Sequence, residues 1–293
     1  MCGIAGLFLK NATLEPALGE LTAAMLSVLT ERGPDSAGFA VYGQGRPGSL
    51  KLTLRGPETT DFEALAAQCD GSVTRRGDHA VLLVASEREA EIRAWLALRW
   101  PEVAIVASGS RMELYKGVGL PAEVSSRFGL AGMSGSHAIG HTRMATESAV
   151  TTQGAHPFST GPDQCLVHNG SLSNHNDLRR RLIRESIKFE TQNDTEVAAG
   201  YLSWRLNSGD RLDAALHSAL GALDGFYTFA VGTENGFGVL RDPVACKPAV
   251  MAETGDYVAF GSEYRALADL PGISSARLFE PEPAQVYFWE RAA

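Results

Sequence analysis

The chain has 293 residues, of which 44% are apolar and 20% charged, with 31 Gly and 13 Pro. That composition excludes collagen-like, coiled-coil and disordered chains, and the length is enough to bury a sizeable core without disulfides. Lys and Arg number 26 against 34 Asp and Glu, a net charge of −8. This argues against sequence-independent binding to nucleic acid, whose affinity comes from neutralised phosphates, and against adsorption on anionic membranes.

No run reaches the roughly 18 uninterrupted apolar residues of a membrane span. The apolar start, Met1 to Leu9, is too short for a signal peptide and lacks a basic lead. Cys2, Cys69, Cys165 and Cys246 are far apart and form no CxxC pair, so neither a disulfide framework nor a cysteine-rich metal site is expected. The expectation is a cytoplasmic protein with free thiols.

In chain order, Gly3 to Leu9 reads as a buried strand. Leu18, Leu21, Met25, Val28 and Leu29 then recur with a helical period after Pro16. Arg32-Gly33-Pro34-Asp35-Ser36 ends that helix, because Gly and Pro cannot continue it. Phe39 to Tyr42 and Ser49 to Leu54 read as strands. From about Glu58 to Gly135 the texture changes, with strands at Ala80 to Val84 and Val103 to Ala107 around a helical stretch from Glu87 to Trp100. Strand–helix–strand alternation predicts a small α/β excursion with a parallel pair. Strands follow at Ala138 to Thr142 and Gln164 to His168, then helices at Asn174 to Glu185, Asp194 to Asn207 and Leu212 to Leu223. Phe226 to Val231 and Gly236 to Leu240 form a hairpin through Glu234-Asn235-Gly236. Strands and helices come in blocks without a strict βαβ repeat, which predicts an α+β layered core carrying an inserted α/β subregion.

Cys2 is the most informative position. A lone cysteine is ordinarily a small buried hydrophobe, and an apolar strand can simply begin with one. If Met1 is removed, however, Cys2 carries a free α-amine beside its thiol. That amine has a reference pKa of about 7.8, so roughly a third of it is neutral at pH 7.5, against about a tenth of a percent of a lysine. One residue can then supply nucleophile and general base together.

Six short motifs accompany it: Met1-Cys2-Gly3-Ile4-Ala5-Gly6, Arg32-Gly33-Pro34-Asp35-Ser36-Ala37-Gly38, Gly140-His141-Thr142-Arg143-Met144-Ala145-Thr146, Ala155-His156-Pro157-Phe158, His168-Asn169-Gly170 and Asn193-Asp194-Thr195-Glu196. In that order they resemble the glutaminase domain of class II glutamine amidotransferases, which are N-terminal-nucleophile hydrolases. The resemblance covers residues 2–45 and 136–270. It implies a four-layer αββα fold, a single domain over 2–293 with an insert at about 46–135, and hydrolysis of glutamine to glutamate and ammonia.

The resemblance also assigns roles. Cys2 would attack the side-chain amide to give a thioester. The Asn169 side chain and the Gly170 backbone N–H would hold the oxyanion, although Asn-Gly is equally the signature of a turn. Arg143 would bind the α-carboxylate, for which a planar fork is suited. Asp194 would pair with the α-ammonium, and as a carboxylate opening a helix it also has a purely structural use. Arg32 and Asp35 would shape the loop closing over the substrate, and Thr146 would add a polar contact. His156 and His168 lack zinc spacing and are read as structural. Two departures stand out. Met144 replaces a frequent aromatic, and Ala245 occupies the glycine of an Arg-Asp-Pro-x-Gly-x-Lys-Pro segment (Arg241 to Pro248), which puts the local backbone in question. The basic run Arg179-Arg180-Arg181, with Arg184, reads as a solvated helix face.

No P-loop, GxGxxG or second catalytic segment follows, so an ammonia acceptor is expected on a separate chain. The insert and the His-Thr-Arg-Met-Ala-Thr-Glu-Ser stretch are similar to the stand-alone glutaminase subunit of glutamate-synthase-like enzymes, with N-methylglutamate synthase the nearest. The resemblance implies no cofactor on this chain, with FMN and iron–sulfur centres on partner subunits. Two other readings stay open: a catalytically silent glutamine-sensing subunit, and an N-terminal-nucleophile amidase for another amide.

Overall fold

The strands that read as uniformly apolar are covered on both faces, and the layering shows why. The computed structural model describes residues 2–145 and 149–291. Along the chain lie β1 (Gly3–Leu9), α1 (Leu18–Val28), β2 (Ser36–Tyr42), β3 (Ser49–Arg55), α2 (Phe62–Gln68), β4 (Ser72–Arg76), β5 (His79–Ala85), α3 (Glu89–Arg99), β6 (Ala104–Gly109), β7 (Met112–Val118), α4 (Pro121–Phe128) and β8 (His137–Arg143). After these come β9 (Phe158–Gly161), β10 (Gln164–Leu172), α5 (His175–Arg184), α6 (Asp194–Asn207), α7 (Leu212–Ala222), β11 (Gly225–Gly232), β12 (Gly236–Arg241), β13 (Val250–Glu253), β14 (Tyr257–Gly261), β15 (Arg277–Phe279) and β16 (Val286–Glu290).

One sheet has the order β15-β13-β14-β1-β8-β2-β7 and a second β16-β12-β11-β10-β9. The pairings in both are antiparallel. Successive side chains of a strand point to opposite faces, and β1 shows what that achieves. Ile4 and Phe8 enter a core with Val167, Ala230 and Phe237 of the second sheet. Ala5, Leu7 and Leu9 enter another with Met25 and Leu26 of α1 and Phe128 of α4. A third core joins Leu166 and Phe229 of the second sheet to Leu182, Val197 and Leu216 of α5, α6 and α7. The layers are therefore helix, sheet, sheet, helix. Burying each such Leu or Phe contributes about 1.5–3 kcal/mol, and β1 sits where both of its faces gain.

The excursion builds its own sheet, in the order β4-β5-β3-β6, with a core of Leu52, Phe62, Leu82, Ile92 and Leu96 under α2 and α3. The expected parallel pair is absent. β5 and β6 each pair antiparallel with β3, which lies between them. The strand–helix–strand alternation was real, but β3, from before the change in texture, took the central place. Met112–Val118 then returns to the larger sheet beside β2.

The helices fall within two residues of their expected ends, and α6 spans Asp194–Asn207 as read. The expected strand at Gln164 to His168 runs on to Leu172, carrying Asn169-Gly170 in a strand rather than a turn. β13 and β15, of four and three residues, are too short to show a period of two.

Candidate active site

Cys2 stands at the entrance of β1, the middle strand of the larger sheet, and its carbonyl is held from two sides. Arg32 Nε donates to Cys2 O at 3.0 Å, and Asn169 Nδ2 donates to it at 3.0 Å. Arg32 is itself fixed by Glu263 Oε1 at 2.8 Å. The neighbouring Ser262 accepts from Ile4 N through its hydroxyl at 2.9 Å and donates its own N–H to Ile4 O at 3.0 Å. The half-buried Cys2 thiol faces Met144 O at 3.8 Å.

The end of β8 brings Arg143 alongside. Asp35 N donates to Arg143 O at 3.1 Å, and Asp35 Oδ2 accepts from Ala145 N at 2.7 Å. One residue thus pinches the chain where it leaves the strand. Arg143 is 6% exposed, and its guanidinium reaches Ala149 O at 3.4 Å.

Register decides what β10 presents. Gly170 lies opposite Tyr227 of β11. Tyr227 spends its N–H on Asp242 Oδ1 and its carbonyl on Asp242 N, so the two residues form a non-hydrogen-bonded pair. The Gly170 N–H therefore points away from β11, to the side where β9 has already ended. The flanking residues agree: His168 O accepts from His141 Nε2 at 3.1 Å, and Leu172 N donates to Asp194 Oδ2 at 2.9 Å. Glycine is required here. Its φ is 152°, and a Cβ would lie 2.0 Å from Phe226 O and 2.8 Å from His168 Nε2. Asn169 has a second N–H beyond the one on Cys2 O.

Asp194 is the first residue of α6, after the Asn193 cap whose side chain accepts from Thr195 N at 2.8 Å. This carboxylate sits in the first helical turn and lines a cavity. The Thr195 hydroxyl joins His156 Nε2 at 2.7 Å and His168 Nδ1 at 3.0 Å, and the His141 and His156 rings stack at 4.1 Å. Burial lowers the pKa of all three imidazoles, His141 to about 3. They are neutral, and His156 and His168 form part of a cavity wall.

These elements enclose a cavity of 710 Å³, lined by Cys2, Arg143, Asn169, Gly170 and Asp194 among others, in the range of small-molecule clefts. Arg32 and Asp35 do not line it; Arg32 bonds the Cys2 carbonyl and Asp35 the Ala145 N–H from outside the cavity. Thr146 lies outside the described residues. Among those described, no group of His, Cys, Asp and Glu is arranged to hold a metal ion, and no helix is long and apolar enough to cross a membrane.

A family model described as a glutamine amidotransferase domain matches residues 141–269. The glutamine amidotransferase-like protein GlxB of Rhizobium meliloti is 61% identical over 99% of this chain and 98% of its own length. The chain belongs to the class II glutamine amidotransferases. A putative glutamine amidotransferase of Methanothermobacter thermautotrophicus is 33% identical over 98% of the chain and 99% of that protein. Among solved structures, the glutamine phosphoribosylpyrophosphate amidotransferase of B. subtilis superposes with a TM-score of 0.63 at 22% identity. That likeness, over 99% of this chain and 47% of the other, shows the shared N-terminal-nucleophile fold.

Two features of this amidotransferase escaped the sequence reading. Lys247 lines the cavity and packs 5.1 Å above the Phe226 ring. It is delivered by the Arg-Asp segment: buried Arg241 donates to Ala245 O at 2.7 Å and Lys247 O at 2.9 Å, while Asp242 Oδ2 accepts from Val244 N at 2.7 Å and Ala245 N at 3.2 Å. Ala245, at the family's glycine, is held at φ 52°, so the left-handed turn persists without the glycine. The motif was legible; its proximity to Cys2 was not. Arg179 corrects the solvated-face reading. It is 8% exposed, donates to Thr191 O at 2.5 Å and Asn193 O at 3.1 Å, and stacks on Phe189 at 5.1 Å. It fixes the loop that leads into Asp194.

Proposed function

We propose that this chain is the glutaminase subunit of a multichain synthase, releasing ammonia from glutamine through a Cys2 thioester. The observation that carries the reading is the convergence of Cys2, Asn169, Gly170, Arg143 and Asp194, from β1, β10, β8 and α6, on one cavity. Removal of Met1 frees the Cys2 α-amine. Glutamine enters with its α-carboxylate on Arg143 and its α-ammonium on Asp194, so a free amino acid is selected at both ends.

The α-amine takes the thiol proton as sulfur bonds to the amide carbon. Negative charge collects on the former carbonyl oxygen, facing the Gly170 N–H and the second Asn169 N–H. Such preorganised donors are worth about 100- to 1000-fold in rate each. The protonated α-amine then gives its proton to the departing nitrogen, and ammonia leaves a thioester. Water adds by the same path, losing its proton to the α-amine, and glutamate departs as the thiol is restored.

The ammonia acceptor is a synthase on another polypeptide, of the glutamate-synthase or N-methylglutamate-synthase type. Partner subunits of that type supply the FMN and iron–sulfur centres. The 61% identity to the glutamine amidotransferase-like protein GlxB supports the amidotransferase part of this reading. Intact mass of the purified protein should show loss of Met1, and a diazo-ketone glutamine mimic should add one equivalent at Cys2. Cys2→Ala should abolish glutamate release without changing the circular dichroism spectrum. Glutamate release that persists in Cys2→Ala would end this mechanism.

A further inference from the structure

Lys116 of β7 carries a buried charge that the proposed mechanism does not use. It is 5% exposed and, among the described residues, meets no carboxylate within ion-pair distance. Its ammonium donates instead to the carbonyls of Gln153, Ala155 and Pro157, at 3.2, 2.9 and 3.4 Å, and lies 4.4 Å from the centre of the Phe158 ring. Burial, reinforced by Arg55 and opposed by Glu196 and Glu190, pushes its pKa down to about 8. A buried ammonium without a carboxylate is costly, and here its three donors all go to one short stretch of chain.

Gly38 makes that approach possible. It lies opposite Lys116 in β2, and a Cβ there would come 2.3 Å from His156 O and 2.6 Å from Lys116 Cβ. The lysine and the 153–157 segment thus meet over a strand position that has no side chain to keep them apart.

The other side of the segment is a wall of the Cys2 cavity, where Gln153, Gly154 and His156 stand with Arg143. Gly154 sits against the guanidinium: a Cβ on it would lie 3.7 Å from Arg143 Nη1. Residues 150–157 form no helix or strand, so no backbone ladder fixes them. Gly154 N donates to Thr151 Oγ1 at 3.1 Å and Ala155 N to Thr152 O at 3.2 Å, which are bonds within the segment. Lys116 is what ties it to the sheet. The stretch held from behind by this ammonium is the stretch that packs on Arg143 from the front.

We propose that Lys116 is a positioning residue for glutamine: by holding the carbonyls on either side of Gly154, it fixes the wall against which Arg143 is set to receive the α-carboxylate. The part played by Arg143 rests on the proposed function; the hold of Lys116 on the segment does not.

The test compares full-length Lys116→Met, Lys116→Arg, Arg143→Ala and the double variant of Lys116→Met with Arg143→Ala. Each is read by steady-state glutamate release and by hydrogen exchange of the peptide covering residues 150–158. Lys116→Met should speed that exchange about tenfold and raise KM for glutamine about tenfold, with kcat within about threefold of wild type. Lys116→Arg keeps the charge and the donors, and the 410 Å³ cavity beside Lys116 has room for the longer side chain. It should bring KM back to within about threefold of wild type. On the Arg143→Ala background, Lys116→Met should change KM by less than about twofold, because both act on one contact. An unchanged KM in Lys116→Met, a loss confined to kcat, or full additivity with Arg143→Ala overturns the assignment. If Lys116→Met does not fold, Lys116→Gln, which keeps two N–H donors without the charge, takes its place with the same direction expected. Arg143→Ala with no rise in KM counts against the carboxylate reading, and exchange and KM in Lys116→Met, reversed in Lys116→Arg, then decide the hold on the wall by themselves.

Discussion

Asn169→Ala separates the two uses of one side chain. The structural use is the 3.0 Å bond to Cys2 O. That carbonyl keeps a second donor, Arg32 Nε at 3.0 Å, so truncation leaves no orphaned acceptor and the stability cost stays near the low end for a lost hydrogen bond, about 0.5–1 kcal/mol. The chemical use is the second N–H, which bonds the oxyanion only once charge has formed. Losing such a donor lowers kcat by about 100- to 1000-fold, or roughly 2.7–4 kcal/mol of barrier. KM should stay within about threefold, because the ground-state carbonyl gains little from the same donor. Steady-state glutamate release over a range of glutamine, with a urea melt on the same preparation, gives both numbers. A fall in kcat below tenfold, or an effect confined to KM, would refute the oxyanion reasoning. A stability loss above about 2 kcal/mol would show that Arg32 does not share the carbonyl as argued.

Arg143→Ala should act on the other side of the ledger. It removes a charge-assisted contact to the α-carboxylate, so KM should rise about 10- to 100-fold while kcat changes by a few-fold, measured in the same assay. Ala245→Gly relieves a left-handed alanine worth about 1–2 kcal/mol against an added chain-entropy cost of about 0.5–1 kcal/mol; a urea midpoint shift of about 0.5–1 kcal/mol in the stabilising direction is expected, with glutamate release unchanged. Lys116 gives a pH signature. Its folded pKa, near 8, lies below its unfolded value of about 10.4. The unfolded chain thus binds more protons between those values, and the stability linked to this group rises with pH from 8 towards 10.4. Lys116→Met loses the three carbonyl bonds at every pH, so only the difference is diagnostic. Wild type should gain on the order of 2 kcal/mol over the variant between pH 7 and pH 10 in paired urea melts, and parallel pH profiles would sink the argument.

How far the residues spoke for themselves follows from the range of the interactions involved. The Cys2 start, the apolar run of β1, the period of α5 to α7 and the Glu234-Asn235-Gly236 hairpin are local patterns, governed by backbone sterics and by alternation between water and core. A linear chain carries such information in full. The motifs holding Arg143, Asn169, Gly170 and Asp194 were legible too, through the family they resemble.

Contacts between residues distant in the chain were not. Nothing at Arg55 announces that β3 will insert between β5 and β6 and cancel a parallel pair. Nothing at Arg179 distinguishes it from Arg180 until Phe189 and the Thr191 carbonyl close over it. Lys247 entered the cavity only because Arg241 and Asp242 fold the segment back on itself, and the direction of the Gly170 N–H followed from Tyr227 being bonded to Asp242 on its far side. The sequence by itself determined which elements form and which groups could react. Tertiary structure decided which strand edges, charges and carbonyls meet, because burial and hydrogen bonding are settled by neighbours brought together from hundreds of residues apart.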